Sequence, residues 1–357
     1  MIEFPSIGQY RNAIKAVHEA AARNGEDELG NPIYRSVTEP LPVVRYVGTV
    51  KLHGMNGSVV QTPDGAIAYQ SRNKVITPEK DNAGFAAFCQ KLEDQRYPDV
   101  VDQRGFWTKL FEAIRVSYEL TDTVVIYGEW CCGNIQKGVA LSQIPEKRFM
   151  IFGIANAIGE EITHWVSPNE LSGFLVGDLC ERIHCVYEFK TFEMTIDFNQ
   201  PALTQNDLVQ LTQQVEKECP VAEQFGISGV GEGIVWRPAE ATYADPRFWF
   251  KVKGDEHSVS KVKTLAEVDL EKLNSVKELI DCIVTPNRCS QGLDYLAEMG
   301  KSIDQTSTGV YLSWVVGDVA KEESDRIAAS GLDPKEVNKQ VGIAARKWFF
   351  EWLEKNL

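Results

Sequence analysis

The sequence predicts an α+β protein in which a β-rich, mostly antiparallel region is followed by a small all-α region. Short apolar runs rich in β-branched and aromatic residues, each bounded by turn residues, recur as far as about Lys263. Beyond that point the apolar residues repeat with a period near 3.6 instead of two, which is the repeat of an α-helix. We therefore predict a β-rich domain at residues 1–263 and a helical domain at residues 264–357.

The β-rich region contains strand-like segments and at least one helix. The segments "RFMIFGIA" and "EEITHWV" should form a hairpin with "NAIGEE" as its loop. Trp107, Phe111, Ile114 and Tyr118 recur at three- and four-residue spacing, so they should lie on one face of a helix. The clearest strand segments are "TVVIYGEW", "RFMIFGIA", "EEITHWV", "EGIVWRP" and "RFWFKVK".

The C-terminal region contains four segments with helical periodicity. The last one has the strongest start signal, with Asp333 as N-cap and Pro334 at the first helical position. Its apolar stretch "KWFFEWL" should face the core of the helical domain rather than a dimer surface. The four segments are "DLEKLNSVKELIDCIV", "GLDYLAEMG", "GVYLSWVVGDVAKEESDRIAA" and "DPKEVNKQVGIAARKWFFEWLEKNL".

Composition narrows the class of protein. A chain of 357 residues is too long for one average core, which agrees with two domains. No long apolar run and no apolar leader segment occur, so we expect a cytoplasmic protein that does not contact membranes. The 8 cysteines lack CxxC pairs and the Cys/His spacing of a zinc site, so we expect reduced, mostly buried thiols.

The net charge of −14 gives no general attraction to nucleic acid. Any contact with nucleic acid must therefore use a local basic site. The segment "KVKGDEHSVSKVK" offers one, because it contains Lys251, Lys253, Lys261 and Lys263.

The stretch "VGTVKLHGMNG" presents a lysine, Lys51, at the end of a strand-like run. His53, Gly54 and Gly57 follow, and strand interiors avoid both lysine and glycine-rich sequence. Lysine is also one of the few side chains that can form a covalent intermediate. Alone, Lys51 would be a solvated strand-end lysine.

Four further motifs follow in order: "SRNK", "YGEW", "EGIVWRP" and "KVK". A lysine that attacks a nucleoside triphosphate needs nearby cations, both to favour the neutral amine and to stabilise the phosphoryl oxygens, and Lys251 and Lys253 could supply them. Glu232 and Glu129 are the candidate carboxylates for Mg²⁺ or a ribose hydroxyl, and Phe152 could stack on the base. Each motif alone is weak evidence for a lysine nucleophile that attacks a nucleoside triphosphate. The hypothesis rests on the whole set of motifs in this order.

In that order the motifs resemble the covalent nucleotidyltransferase superfamily of DNA ligases, RNA ligases and capping enzymes. The sequence is most similar to the RNA ligase 2 family, phage-type enzymes that seal nicks in double-stranded RNA. "KLHGMNG" resembles motif I, "RFMIFGI" motif III, "GEGIVWRP" motif IV and "FWFKVK" motif V. "SRNKVITPEKDNAGF", "YGEWCCGNIQKGV" and "LIDCIVTPNRCSQGLDYLAEMG" resemble further family segments, the last opening the C-terminal helical domain.

The resemblance implies an antiparallel-sheet nucleotidyltransferase domain of the ATP-grasp-like ligase type, with ATP and Mg²⁺, or Mn²⁺ in its place, as cofactors. It implies that Lys51 takes AMP from ATP and that His53 serves chemistry beyond nucleotide binding. The other implied roles are Arg72 at the AMP or RNA-end phosphate, Glu129 at the ribose, Phe152 at the adenine, Glu232 in the metal-dependent steps, Lys251 and Lys253 at the α-phosphate, and Asn56 and Arg237 at matching nucleotide-binding positions.

Two positions depart from the family pattern. Val50 stands where the best-known members carry Glu, so a base contact made there is in doubt. Gly153 follows Phe152 where an Asp is common, so a carboxylate contact is missing or supplied elsewhere.

The implied reaction joins an RNA 5′-phosphate to a 3′-hydroxyl through lysyl-AMP, with no obligate protein partner. A nicked duplex is the expected substrate, because a complementary strand holds both ends together, and shape recognition of A-form RNA predicts little sequence preference. A DNA ligase or capping enzyme would continue into a β-barrel OB domain, whereas helices follow here. The open alternatives are a single-strand RNA ligase and a non-catalytic RNA-end or nucleotide-binding protein.

Overall fold

The computed structural model describes residues 1–27, 31–37, 39–95, 102–136, 138–177, 179–254 and 276–356. The chain divides into two compact units, Met1–Val252 and Lys253–Leu357. The predicted boundary between residues 263 and 264 lies outside the described residues, as do Lys261 and Lys263 of the basic segment. The α+β class is confirmed, since antiparallel-rich sheets precede a helical C-terminal region.

The strands, in chain order, are β1 (Gly8–Gln9), β2 (Arg23–Glu26), β3 (Pro32–Tyr34), β4 (Val43–Val50), β5 (Met55–Gln61), β6 (Ile67–Ser71), β7 (Val75–Ile76), β8 (Thr123–Cys131), β9 (Arg148–Ile158), β10 (Glu161–Trp165), β11 (Ile183–Cys185), β12 (Phe192–Asp197), β13 (Gly233–Pro238) and β14 (Phe250–Lys253). The helices are α1 (Tyr10–Ala22), α2 (Phe85–Asp94), α3 (Phe106–Tyr118), α4 (Pro168–Leu171), α5 (Gln205–Lys217), α6 (Pro220–Gln224), α7 (Val276–Ile283), α8 (Pro286–Glu298), α9 (Thr308–Glu322), α10 (Ser324–Ala329) and α11 (Pro334–Asn356).

Among the described residues these strands form three sheets. A 5-stranded sheet has the order β1-β14-β13-β4-β12, in which β12 and β13 run antiparallel to β4 and β1 runs parallel to β14. A 7-stranded sheet has the order β10-β9-β8-β5-β6-β7, with β11 parallel to β9. Strands β2 and β3 pair only with each other within the described residues. Because β4 and β5 are consecutive, the short segment between them joins the two large sheets.

The predicted hairpin is present, but its loop is shorter than predicted. Ile158 pairs with Glu161, so only Gly159 and Glu160 form the turn, and Gly159 takes the positive φ of 63° that such a tight turn favours. The polar Asn156 stays in the strand because its side-chain amide donates to Asp122 Oδ2 (3.0 Å). A buried polar residue with a partner therefore does not end a strand.

The predicted helix around Trp107 is α3, and its apolar face is buried as expected. Trp107, Phe111 and Ile114 lie in the core with Leu110 between them, and Tyr118 is half-buried at the last position. Amphipathic spacing therefore identified the correct face of this helix.

The helical unit has its own core, to which α7, α8, α9 and α11 contribute. In α11, Asp333 Oδ1 accepts from the Lys335 amide (3.0 Å), and Phe349 and Leu353 are buried, so the predicted N-cap and core face are confirmed. The predicted helix of residues 309–329 is instead broken into α9 and α10 at Glu323. The buried Glu323 carboxylate binds Arg288 (3.1 Å) and Arg326 (2.8 Å), and it takes a non-helical backbone conformation between the two helices.

None of the helices in the described ranges is long and apolar enough to cross a lipid bilayer.

Candidate active site

Lys51 follows directly after the last residue of β4, at the strand end where the sequence predicted it. Its backbone amide donates to Gly233 O (2.8 Å), which extends the β4–β13 ladder by one residue beyond the Val50–Ile234 pair. This hydrogen bond brings the first residues of β13 beside Lys51. Glu232, which precedes β13, is therefore carried to the same place.

Lys51, His53 and Glu232 form a hydrogen-bonded cluster. Lys51 Nζ donates to Glu232 Oε2 (2.7 Å), and His53 Nδ1 donates to the same oxygen (3.1 Å). The Glu232 side chain is only 2% exposed, whereas those of Lys51 and His53 are 22% and 15% exposed. Burying a carboxylate without partners would be costly, and these two donors offset that cost. The cluster thus presents a partly exposed amine against a buried carboxylate.

Gly54 fixes this segment against the end of β8. A Cβ at this position would lie 2.6 Å from both Cys131 Cβ and Trp130 O, so no side chain fits there. The hydrogen bond with Cys132 and complete burial raise the pKa of the Cys131 thiol well above its ordinary value. The backbone of the lysine segment therefore rests on a neutral thiol and a carbonyl group.

Asn56 and Glu129 are directly opposite each other on β5 and β8. Residues opposite each other in an antiparallel pair place their side chains on the same face, and both are half-buried. In the adjacent pairing Gly57 lies opposite Ser71, so Arg72 begins the next turn at the same level of the sheet. The exposed Arg72 donates from Nη2 to Ser6 Oγ (3.3 Å). The structure thus brings three predicted nucleotide-site residues to one region of the 7-stranded sheet.

Phe152 is the extra residue of a β-bulge in β9. Tyr127 pairs with Gly153 and Gly128 pairs with Ile151, so Phe152 has no opposite residue on β8. Bulges re-aim a side chain and leave the backbone of the extra residue without a ladder partner. The half-buried ring of Phe152 packs on Phe4, with their centroids 4.8 Å apart.

Arg237 donates a hydrogen bond to the backbone of Phe152, which has no register partner on β8. Its Nη1 donates to Phe152 O (2.8 Å) and its Nη2 to Val166 O (3.0 Å), and the side chain is nearly fully buried. The guanidinium also lies over the Trp249 ring, 4.1 Å from the centroid. Arg237 therefore links β13 to Phe152 on β9 through Nη1 and to Val166, directly after β10, through Nη2.

Lys251 and Lys253 lie on one face of β14, because the residues between and before them, Val252 and Phe250, are buried while both lysines are half-buried. Strand β14 neighbours β13 in the sheet, and Lys251 is the register partner of Gln9 on β1. The two lysines are thus on the strand next to β13, which starts directly after Glu232.

Two aromatic residues of this region, Phe4 and Trp249, were not predicted from the sequence. Phe4 contacts Phe152, and Trp249 contacts Arg237. Trp249 stood inside the recognised "FWFKVK" segment, so its aromatic character was a usable signal, whereas nothing in the sequence connects Phe4 with Phe152.

A divalent cation would depend on few protein ligands here. Within the described ranges no group of three or more His, Cys, Asp or Glu side chains could hold a metal ion. Mg²⁺ commonly uses only one or two carboxylates together with substrate phosphates. The Glu232 carboxylate fits that kind of site.

A family model of RNA ligases matches residues 44–253, which include all ten predicted site residues and more than half of the chain. The chain therefore belongs to the RNA ligase family. No curated protein matches the sequence.

Among solved structures, the chain is similar to RNA ligase from Naegleria gruberi. A point variant with ATP and Mn is 14% identical, with 71% of this chain and 57% of that chain covered and a TM-score of 0.43. The same ligase with PPi is 16% identical, with 72% and 58% covered and a TM-score of 0.41. This chain thus spans less than two thirds of the length of these relatives.

Proposed function

We propose that this chain is an ATP-dependent RNA ligase in which Lys51 carries the AMP. One observation supports the proposal most directly: the Lys51 amine contacts the buried Glu232 carboxylate (2.7 Å) within the segment that matches the RNA ligase family. A partly exposed lysine held in this way is available to a nucleotide yet fixed in position. That combination suits a nucleophile better than a solvated surface lysine.

In the first step Lys51 Nζ attacks the α-phosphorus of ATP. A nitrogen–phosphorus bond forms, the bond from the α-phosphorus to the oxygen that bridges the α- and β-phosphates breaks, and pyrophosphate leaves. The amine must lose a proton for this attack, and Glu232 Oε2 lies within hydrogen-bonding reach to accept it. His53 stays bound to the same oxygen and holds the carboxylate in place.

The remaining predicted residues bind the nucleotide. Phe152 stacks on the adenine, and Glu129 accepts from a ribose hydroxyl, with Asn56 beside it. Lys251 and Lys253 balance the charge of the α-phosphate, where negative charge grows during the reaction.

A further group of interactions concerns the cation and the RNA end. Glu232 would hold Mg²⁺ or Mn²⁺ together with phosphate oxygens, with Glu129 as the second candidate carboxylate. When bound, the cation supplies positive charge to those oxygens. Arg72, exposed on its turn, is available to the phosphate of AMP or of the RNA end.

Two more steps complete the ligation. The RNA 5′-phosphate attacks the phosphorus of lysyl-AMP, the nitrogen–phosphorus bond breaks, and the Lys51 amine takes back a proton, so that AMP moves from Lys51 to the RNA end. The adjacent 3′-hydroxyl then attacks the activated 5′-phosphate and gives up its proton to solvent. A phosphodiester forms, the bond from the 5′-phosphorus to the bridging oxygen of AMP breaks, and AMP leaves. A nicked duplex of RNA, as in the RNA ligase 2 family, is the substrate that we propose, because the intact strand holds both ends in line.

The test is transfer of label from α-labelled ATP with Mg²⁺ and without RNA. We expect acid-labile label on the wild type and on Lys217→Ala, an exposed lysine variant of α5, and none on Lys51→Ala. If the wild type stays unlabelled, or if Lys51→Ala is labelled equally, the ligase proposal fails in favour of a nucleotide-binding protein. Nicked duplex and single-stranded RNA with 5′-phosphate ends then separate the two ligase types.

A further inference from the structure

Arg237 is a buried cation without a carboxylate partner among the described residues. Its side chain is 5% exposed, and its hydrogen bonds go to the carbonyls of Phe152 and Val166 and to the Tyr187 hydroxyl (3.4 Å). Its Nε has no hydrogen-bond partner. A buried charge normally requires an opposite charge or a substitute for one.

The titratable groups beside Arg237 do not provide that opposite charge. Burial raises the pKa of the Tyr187 hydroxyl, although the positive charge of Arg237 works against the shift. Burial likewise raises the pKa of the Cys185 thiol to about 12. Both groups are therefore neutral near pH 7, and the guanidinium is left with neutral acceptors.

The face of Trp249 takes the place of a counter-charge. The Arg237 guanidinium carbon lies 4.1 Å from the Trp249 ring centroid, and Trp249 is 1% exposed. Tryptophan is the strongest aromatic partner for a cation, and the attraction is largest when both groups are removed from water. Trp165 packs edge-on against Trp249 (4.9 Å) and holds the ring in this orientation.

We infer that Arg237 and Trp249 are a positioning pair that holds Phe152 for the nucleotide base. This inference rests on the proposed function, because it takes Phe152 as the stacking residue. Arg237 Nη1 supplies a donor to the carbonyl of Phe152, whose backbone has no register partner on β8 at the bulge. Trp249 fixes the guanidinium, so the direction of the Phe152 side chain depends on both residues.

The pair of Arg237 and Trp249 should affect the affinity for the nucleotide but not the rate at which AMP is transferred to Lys51. Phe152 would touch the base, whereas the reacting atoms lie at Lys51 and the α-phosphate. Loss of the pair therefore weakens the affinity for the nucleotide, while the labelling rate at saturating ATP stays close to that of the wild type.

A substitution at Gly153 can test whether a negative charge replaces the Trp249 ring as the partner of Arg237. A Cβ at this position would lie 3.8 Å from Arg237 Nη1 and 3.4 Å from Trp165 Cζ3, which are ordinary contact distances. The backbone of Gly153 is not in the left-handed region, so a side chain is tolerated. An aspartate there could pair with Arg237 and compensate for a lost tryptophan face.

The experiment compares Trp249→Leu, Trp249→Phe and the double variant Trp249→Leu/Gly153→Asp. Affinity is measured by calorimetry with α,β-methylene-ATP and Mg²⁺, since Lys51 cannot cleave this analogue, and the rate is measured as label transfer at saturating ATP. Trp236→Leu is the matched control, because Trp236 is also fully buried but stacks on Phe250 instead of Arg237.

We expect the Kd to rise about tenfold for Trp249→Leu and about twofold for Trp249→Phe, which keeps an aromatic face. The double variant should return to within about threefold of the wild type, and the labelling rate should change by less than about twofold.

The inference is overturned if Trp249→Leu leaves the Kd unchanged, if Trp236→Leu raises it equally, or if the added aspartate restores nothing. A lower labelling rate with an unchanged Kd also overturns it. If the wild type takes no label yet the Kd values follow the expected pattern, the ligase function fails and the positioning pair stands.

Discussion

At Gly54 the main chain that carries Lys51 and His53 touches the end of β8. The position leaves no room for a methyl group, because one contact atom is the Trp130 carbonyl oxygen, which belongs to a central strand. Any side chain must therefore push the lysine segment away from β8. The Lys51–Glu232 and His53–Glu232 hydrogen bonds would lengthen together, since both depend on that segment.

We predict that Gly54→Ala lowers the rate of Lys51 labelling by about a hundredfold, because displacements of about 1 Å can cost that much. The measurement is label transfer at saturating ATP, with thermal unfolding as a check on folding. Gly173→Ala is the control, since a Cβ at Gly173 would meet no atom within 4 Å. Labelling at the wild-type rate in Gly54→Ala would show that the close contact does not position Lys51.

Local sequence was sufficient to find Lys51 but not its surroundings. A strand-like run followed by a lysine and glycines is visible over a few residues, so the strand end was predictable. The contact with Glu232 spans 181 positions in sequence and arises only because β13 pairs with β4 in one register. The bulge at Phe152 has the same origin, because the pairing with β8 and not the local sequence makes Phe152 the extra residue.

At the scale of single elements, one carboxylate joins the turn after β11 to the end of that strand and to the segment before it. Glu188 Oε1 accepts from the amides of Val176 (2.7 Å), Gly177 (3.2 Å) and Cys185 (3.0 Å), and His184 lies 3.5 Å from Oε2. Burial alone would raise the pKa of Glu188, but the hydrogen bonds from His184 and these amides lower it below its ordinary value. The ionised form is therefore the one that stabilises this turn.

We predict that Glu188→Gln lowers the Tm by about 3 °C or more at pH 7, because three amide donors lose a charged acceptor. The pKa is depressed in the folded state, so this stabilisation is present above the unfolded value of about 4.3 and is lost as the pH falls through the lower folded value. The difference in Tm between the wild type and Glu188→Gln should therefore become smaller as the pH is lowered below about 4. Thermal unfolding followed by circular dichroism over this pH range is the measurement.

Glu181→Gln is the control for Glu188→Gln, because Glu181 is exposed in the same segment. It should leave the Tm nearly unchanged at every pH. An equal Tm gap for Glu188→Gln at pH 7 and at low pH would contradict the role of the ionised carboxylate.

The periodicity of apolar residues predicted most strands and helices, whereas their ends depend on hydrogen bonds and ion pairs of polar side chains. The β9–β10 hairpin was predicted from its apolar runs, yet its strand continues through Asn156 because that amide finds Asp122. The break between α9 and α10 follows from ion pairs of Glu323 with distant residues, which periodicity does not contain.

At the scale of the whole molecule, residues before the family match are part of the same architecture. The match begins at residue 44, but β1 pairs with β14, Phe4 packs on Phe152, and Ser6 accepts from Arg72. The N-terminal residues therefore contact three predicted nucleotide-site residues or their strands. The sequence does not predict these contacts, because short terminal segments carry little periodic signal.

The reactivity of the cysteine thiols is a simple chemical test of their burial throughout the molecule. The sequence predicted reduced, mostly buried thiols, and all 8 are free, with only Cys180 and Cys282 half-buried and the rest buried. Burial raises the pKa of Cys89, Cys185 and Cys289, the last to about 11. A thiol with a pKa near 12 is ionised to roughly one part in ten thousand at pH 8, and the thiolate is the reactive form.

We predict that iodoacetamide at pH 8 modifies the native protein only at Cys180 and Cys282, and that the other six thiols react after unfolding in guanidinium. Peptide mass spectrometry assigns the modified positions, and a Cys180→Ser/Cys282→Ser variant should remain unmodified until it unfolds. Rapid modification of Cys131 or Cys132 in the native protein would mean that the end of β8 opens to solvent. Because Gly54 rests on Cys131, such opening would also release the segment that carries Lys51, so the thiol reaction reports on the rigidity of the candidate site.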